Sequence, residues 1–191
     1  MHILKKGLRA LGIAESCQGR SVSRLAGVVM RKDLRIDGFT FSTVTVGGMD
    51  ASTSVIAMVK DLKRRDINVI MLSGCVIAWF NIINATLIFQ ETGIPVICVT
   101  YEDSEGLVGD IRHHFPDDGA RISAYENLGA RIPVKLHTHQ TIFIRCWGLT
   151  SEDAVKLCND FTLEGRIPEP LRVARLCARQ LHYSPVNEGQ K

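Results

Sequence analysis

The sequence predicts a mixed α/β fold in which an antiparallel meander and a parallel βαβ unit share one sheet. Three observations predict it. The first is residues 69–89, VIMLSGCVIAWFNIINATLIF, which contain no Asp, Glu, Lys or Arg. The stretch approaches the length of a membrane span, but Ser73-Gly74 breaks it, and Asn81 and Asn84 would find no amide partners in lipid. It divides instead into a buried strand at 68–72, a Ser-Gly turn and a helix reaching about Glu91. The second observation is VICVTY at 96–101, a continuous apolar strand after the helix stop Gly93-Ile94-Pro95. The third is FTFSTVTV at 39–46, whose alternation and β-branched residues are a strong strand signal.

The remaining elements follow in order. Residues 9–13 and 25–30 read as the first two strands of the meander, with a possible turn at Asp37-Gly38 before the third. Gly47-Gly48 ends the third strand. Asp50 then precedes ASTSVIAMVKDLKRR, where Val55, Met58, Val59 and Leu62 recur at helical spacing, and an Asp there suits an N-cap. After the βαβ unit, 104–115 and 118–128 read as amphipathic surface helices. Residues 132–137 and 140–147 form a hairpin around Thr138-His139, and helices at 151–163 (Ser151 as N-cap) and 168–182 close the fold before a polar tail at 183–191. No repeat or linker interrupts the chain, so one domain is expected. The order βββαβαβ is that of the ribonuclease H-like fold. Ligands in such sheets collect where parallel strands end, which marks Ser73-Gly74 and the segment Thr100, Tyr101, Glu102, Asp103 as a site edge.

Composition narrows the class. With 46% hydrophobic and 23% charged residues, 191 residues suffice for a sizeable core and exclude general disorder. A net charge of +3 proves no partner by itself. Six scattered cysteines without a CxxC pair, and an N-terminus without a cleavable leader pattern, point to a reduced, cytoplasmic protein with no membrane anchor.

The motifs GIAES (12–16), LAGVVMR (25–31), DGF (37–39), VGGMDAS (46–52), AWFN (78–81), TGIPVI (92–97) and IPEPLRVARL (167–176) together resemble an archaeal endonuclease dU-like family related to endonuclease V. The resemblance runs from Leu11 to about Arg179. It implies a ribonuclease H-like domain acting on DNA or RNA with deaminated bases, with Mg²⁺ or Mn²⁺ as cofactor if the chain is an active endonuclease. Two positions depart from the family pattern. Relatives carry Asp after the first-strand Gly-hydrophobic pair and before the Gly that ends the 68–72 strand, where this chain has Ala14 and Ser73. Hard divalent cations prefer converging carboxylates, so the loss of two weakens the expectation of cleavage.

Candidate site residues follow. Glu15 and Asp50 are the remaining acids for catalysis and metal binding, although Asp50 also serves as a helix N-cap and Glu15 stands equally well as an exposed strand end. Arg172, Arg175 and Arg179 form one helical stripe suited to phosphate contacts, or to ion pairs such as one with Glu169. Asn81 could meet a base edge or cap backbone in the core, and Trp79-Phe80 could stack on a base or pack inside. The pairs His113-His114 and His137/His139 lack metal-ligand spacing. Three readings follow: a deaminated-base endonuclease, a non-catalytic nucleic-acid-binding or assembly module, and an enzyme acting on a small phosphorylated ligand.

Overall fold

The computed structural model describes residues 7–19 and 21–181. Nine strands and six helices follow one another: β1 (Arg9–Ser16), β2 (Val22–Arg31), β3 (Ile36–Thr45), α1 (Ala51–Asp61), β4 (Val69–Ser73), β5 (Val76–Ile77), β6 (Asn81–Ile82), α2 (Ala85–Thr92), β7 (Val96–Thr100), α3 (Val108–His114), α4 (Gly119–Glu126), β8 (Ile132–Lys135), β9 (Thr141–Trp147), α5 (Ser151–Asp160) and α6 (Glu169–Gln180). Seven strands form one sheet in the order β3-β2-β1-β4-β7-β9-β8. Its centre is parallel, β1 beside β4 beside β7, and its flanks are antiparallel. The mixed α/β, ribonuclease H-like sheet with a C-terminal hairpin and helices is the one expected.

The central strands are buried on both faces, which is why they read as continuous apolar runs rather than alternating ones. Alternate residues feed two separate cores. Leu11, Ile13, Ile70 and Leu72 pack with Val55 and Met58 of α1 and Ile88 of α2. Ala10, Ala14, Val69 and Met71 pack with Leu157 of α5 and Leu171 and Ala174 of α6. Helix α6 lies against the sheet at Gly12, where an added Cβ would collide with the backbone of Pro170. Only glycine permits that approach.

Several local expectations are corrected. No helix follows Ser73-Gly74: α2 begins only at Ala85, capped by the Asn84 side chain, and residues 74–84 form a loop containing the short β5–β6 hairpin. The meander turn lies at 32–35, with Leu34 left-handed, whereas Asp37-Gly38 belongs to β3 beside a register shift. Helix α3 is confined to Val108–His114, and the cap of α5 is Thr150 rather than Ser151. His182 and the expected polar tail lie outside the described residues. Among the described residues no helix is long and apolar enough to cross a membrane.

Candidate functional site

The parallel strands β1, β4 and β7 end at one edge of the sheet, and the candidate residues meet there in two groups, one on each face. Because neighbours on a strand point to opposite faces, Ala14 faces α6 and Glu15 faces the α1 side. Ile13 pairs with Leu72, so Ala14 and Ser73, which follow them, stand side by side. The two positions where the resemblance expects acids are therefore adjacent, and both are neutral. Above them, Arg175 of α6 donates to the Ser73 hydroxyl at 2.8 Å, and its guanidinium lies 5.1 Å from the centre of the Tyr101 ring.

On the other face, three predicted site residues converge on the loop after β4. One oxygen of Glu15 accepts the Ala78 N–H at 3.1 Å and the other accepts the hydroxyl of buried Ser23. Asp50 holds the N-cap position of α1, but its side chain caps nothing there. It accepts instead from the Thr45 N–H (3.1 Å) and hydroxyl (2.8 Å) and from the Asn81 amide (2.6 Å). Burial alone would raise the Asp50 pKa, but the hydrogen bonds from Asn81 and Thr45 together outweigh it and hold the carboxyl below its usual value. Asn81 is 0% exposed and bridges three segments, accepting from Ala51 N–H at 3.1 Å and donating to the Thr45 carbonyl at 2.9 Å as well as to Asp50.

These bonds pin an unusual turn. Ala78, Trp79 and Phe80 take φ values of 42, 59 and 62°, three successive left-handed residues none of which is glycine. Such a conformation costs about 1–2 kcal/mol per residue and persists only where surroundings over-determine it. The Ala78 carbonyl accepts from Gly47 N–H at 2.8 Å. Arg121, buried in α4, donates to the carbonyls of Phe80 (2.5 Å), Gly47 (2.8 Å) and Gly48 (3.0 Å) and lies 4.0 Å from the Phe115 ring centre. The turn leaves Trp79 53% exposed, its ring 4.7 Å from that of His114, with Phe80 packed behind against Phe115.

Arg172 is paired with Glu169 at 2.6 Å, while Arg179 is exposed at the C-terminal end of α6. The stripe therefore exists as a helical face, but its members differ: one is neutralised, one sits over Ser73 and one points to solvent. A cavity of about 420 Å³ opens beside Arg175 at the ends of β4 and β7, lined also by Gly74, Tyr101, Arg131 and Arg166. Arg131 and Arg121 carry no periodic or motif signal, and Arg166 was visible only as the residue before the IPEPLRVARL motif. Tyr101 was legible only as part of the strand end.

The donor chemistry decides whether a divalent metal fits. A two-carboxylate centre needs acids converging on one point. Here Glu15 and Asp50 are each engaged with backbone and neutral side chains, Ala14 offers no oxygen, and Ser73 is tied to a guanidinium. Among the described residues no group of three or more His, Cys, Asp or Glu could hold an ion. The residues present do not fit the metal of a phosphodiester-cleaving centre.

A sheet of this order, parallel at its centre, with the site at the carboxyl ends of those strands, defines a protein of the ribonuclease H-like class. The pattern of the Endonuclease dU family matches residues 6–182, and the chain belongs to that family. A UPF0215 protein of Pyrobaculum calidifontis is 38% identical over 173 residues, spanning 88% of this chain and 93% of its own. The crystal structure of an Archaeoglobus fulgidus protein of unknown function superposes with a TM-score of 0.79 at 27% identity, covering 91% of this chain and 98% of its own. Endonuclease V of Ciona intestinalis, solved in complex with a 24mer DNA containing an inosine followed by a ribo-adenosine, shares the fold at a TM-score of 0.61 and 16% identity, over 93% of this chain and 87% of its own.

Proposed function

We propose that this chain is a nucleic-acid-binding protein of the endonuclease V type that recognises unpaired DNA or RNA strands carrying deaminated bases, and that recognition rather than cleavage is its activity. The observation that carries the reading is Trp79, an indole held half in solvent on a left-handed turn by Glu15 and Arg121, at the sheet edge where arginines gather. A base stacked on an aromatic ring contributes about 1–3 kcal/mol whatever its identity. Arg172, Arg175 and Arg179 supply the phosphate contacts that position a strand without reading its sequence. Glu15, Asp50 and Asn81 serve this reading by shaping the turn. The inosine-containing DNA bound by the Ciona intestinalis enzyme supports deaminated bases as the substrate class.

The family's description favours a second reading, metal-dependent cleavage, in which Glu15 and Asp50 would hold Mg²⁺ or Mn²⁺. One experiment separates them: incubation with uracil- and hypoxanthine-containing DNA and RNA, with and without Mg²⁺ or Mn²⁺, following both binding and scission. We expect salt-sensitive binding and little or no cleavage. Replacing Arg172, Arg175 and Arg179 together by Gln should lower the salt slope by about 2–3, and Trp79→Ala should weaken binding by about 1–3 kcal/mol. Rapid turnover lost on replacing Glu15 and Asp50 by Ala would establish the cleavage reading instead. No measurable binding at low salt would sink both.

A further inference from the structure

Arg175 is a cation without an anion. It is half-buried on α6, its hydrogen-bond partner is the neutral Ser73 hydroxyl, and its other neighbour is the face of Tyr101. Among the described residues no Asp or Glu forms an ion pair with it, in contrast to Arg172 with Glu169. A guanidinium partly withdrawn from water and facing no anion gains from one that reaches it.

The surroundings say which anion. Arg166 and Arg131 line the same cavity of about 420 Å³. Both are oriented by backbone carbonyls, Arg166 by Tyr101 at 2.7 Å and Arg131 by Glu102 and Ser104 at 2.8 Å each. Arg166 is also paired with Glu102 at 2.6 Å and Arg131 with Asp103 at 3.2 Å, but both acids stand at the rim with side chains 78% and 81% exposed, where water screens them and an incoming anion can displace them. The Ser73 hydroxyl, which accepts from Arg175, has its own proton to donate. Three guanidiniums thus arrive from three segments around one cavity, rather than tracking along a groove as contacts to successive diesters do. Planar guanidinium forks match the oxygens of a tetrahedral phosphate, and their charge suits two negative charges better than one.

We propose that this cavity binds a phosphomonoester dianion directly, without a divalent metal, through Arg175, Arg166, Arg131 and Ser73. A phosphorylated strand terminus and free inorganic phosphate share that chemistry. The strand terminus is the source if the nucleic-acid reading above holds, and only that part of the proposal rests on it.

The test uses the full chain in EDTA. Short single strands of one sequence, with a 5′-phosphate, a 3′-phosphate or hydroxyls at both ends, are titrated by fluorescence anisotropy. Inorganic phosphate is titrated separately by calorimetry. We expect one of the phosphorylated strands to bind about tenfold tighter than the hydroxyl-ended strand, and inorganic phosphate to compete for the difference. Arg175→Gln should abolish the preference. Arg35→Gln removes a charge from a side chain 77% exposed in the distant β2–β3 turn and should leave the preference intact. Because Arg175→Gln also removes a contact of α6, Ser73→Asp is the second variant: it places a carboxylate against Arg175 and should remove the preference in a protein with native circular dichroism. Phosphate binding that depends on Arg175, with no strand bound, would support the cavity and assign it to free phosphate while refuting the nucleic-acid reading. Strands bound equally well with and without terminal phosphate, or a preference that appears only on adding Mg²⁺, would overturn the proposal and leave the nucleic-acid reading standing. No binding of any probe would overturn both.

Discussion

At the scale of single residues, the buried amide of Asn81 does the most. It accepts from the Ala51 N–H and donates to the Thr45 carbonyl and the Asp50 carboxylate, tying its own loop to the end of β3 and the start of α1. Its removal leaves the Ala51 N–H without this acceptor and takes a donor from each of the other two. Each buried group left unsatisfied costs about 1–3 kcal/mol. Asn81→Ala should therefore lower unfolding free energy by about 2–4 kcal/mol in urea denaturation, and should alter the fluorescence of a Trp147→Phe background in which Trp79 alone reports. Unchanged stability would show that the turn is not held from below. Tyr101 offers a second check at this scale. Burial pushes its phenol up to about 12, with Arg175 and Ser73 acting against the shift. A pKa raised in the folded state gives stability that is complete below the unfolded value near 10 and declines as pH rises from there towards 12. The difference between the phenolate absorbance titrations of the native chain and Tyr101→Phe should have its midpoint near 12. A midpoint near 10 would mean that the phenol is solvated.

Among the elements, the loop between β4 and α2 shows where sequence reasoning ended. The central strands were legible because burial on both faces leaves runs such as VIML and VICV. Strand β3 was legible from its β-branched residues, although its alternation runs against burial where Phe39 and Phe41 are exposed and Thr40 is buried. Residues 75–84 are just as apolar, and apolarity there suggested the continuation of a helix. What makes them a loop is the left-handed path of Ala78, Trp79 and Phe80, which is enforced by Arg121 from forty residues further along the chain and by Glu15 from sixty residues before. No local pattern reports such distant constraints. The same holds for the cavity: the stripe Arg172, Arg175, Arg179 was visible as a spacing, but the partners that distinguish its three members come from Glu169, Ser73 and solvent. Helix α6 carries the prediction proper to this scale. Gly12→Ala would drive a methyl group into Pro170 at the helix start, and backbone on both sides can yield only by moving α6 off the sheet. The cost should be at least about 2–3 kcal/mol, read as a lowered midpoint in calorimetry. A neutral substitution would mean that α6 docks more loosely than its contact with Gly12 indicates.

For the molecule as a whole, the two faces of one sheet edge are put to different uses. The α1 side carries Glu15 and Asp50, both engaged in holding the loop after β4 and the end of β3. The α6 side is cationic, with a neutral pair where a family resemblance led one to expect acids. The expectation of ribonuclease H-like architecture rested on element order together with the family resemblance, and order constrains how strands can pair. The chemistry was not legible in the same way, because the sign of the charge over Ser73 depends on a helix that begins almost a hundred residues later.

That separation has a consequence for how the protein matures. The hydroxyl of Ser73 and the guanidinium of Arg175 lie 102 positions apart in the chain. The strands β4 and β7 that form the floor of the cavity are synthesised first, and its ceiling arrives later with α6. A nascent chain extends by about 5–20 residues each second, so several seconds separate the synthesis of the strands from that of the helix that covers them. On the proposal above, an anion would be attracted only once α6 has docked on the sheet and set Arg175 against Ser73.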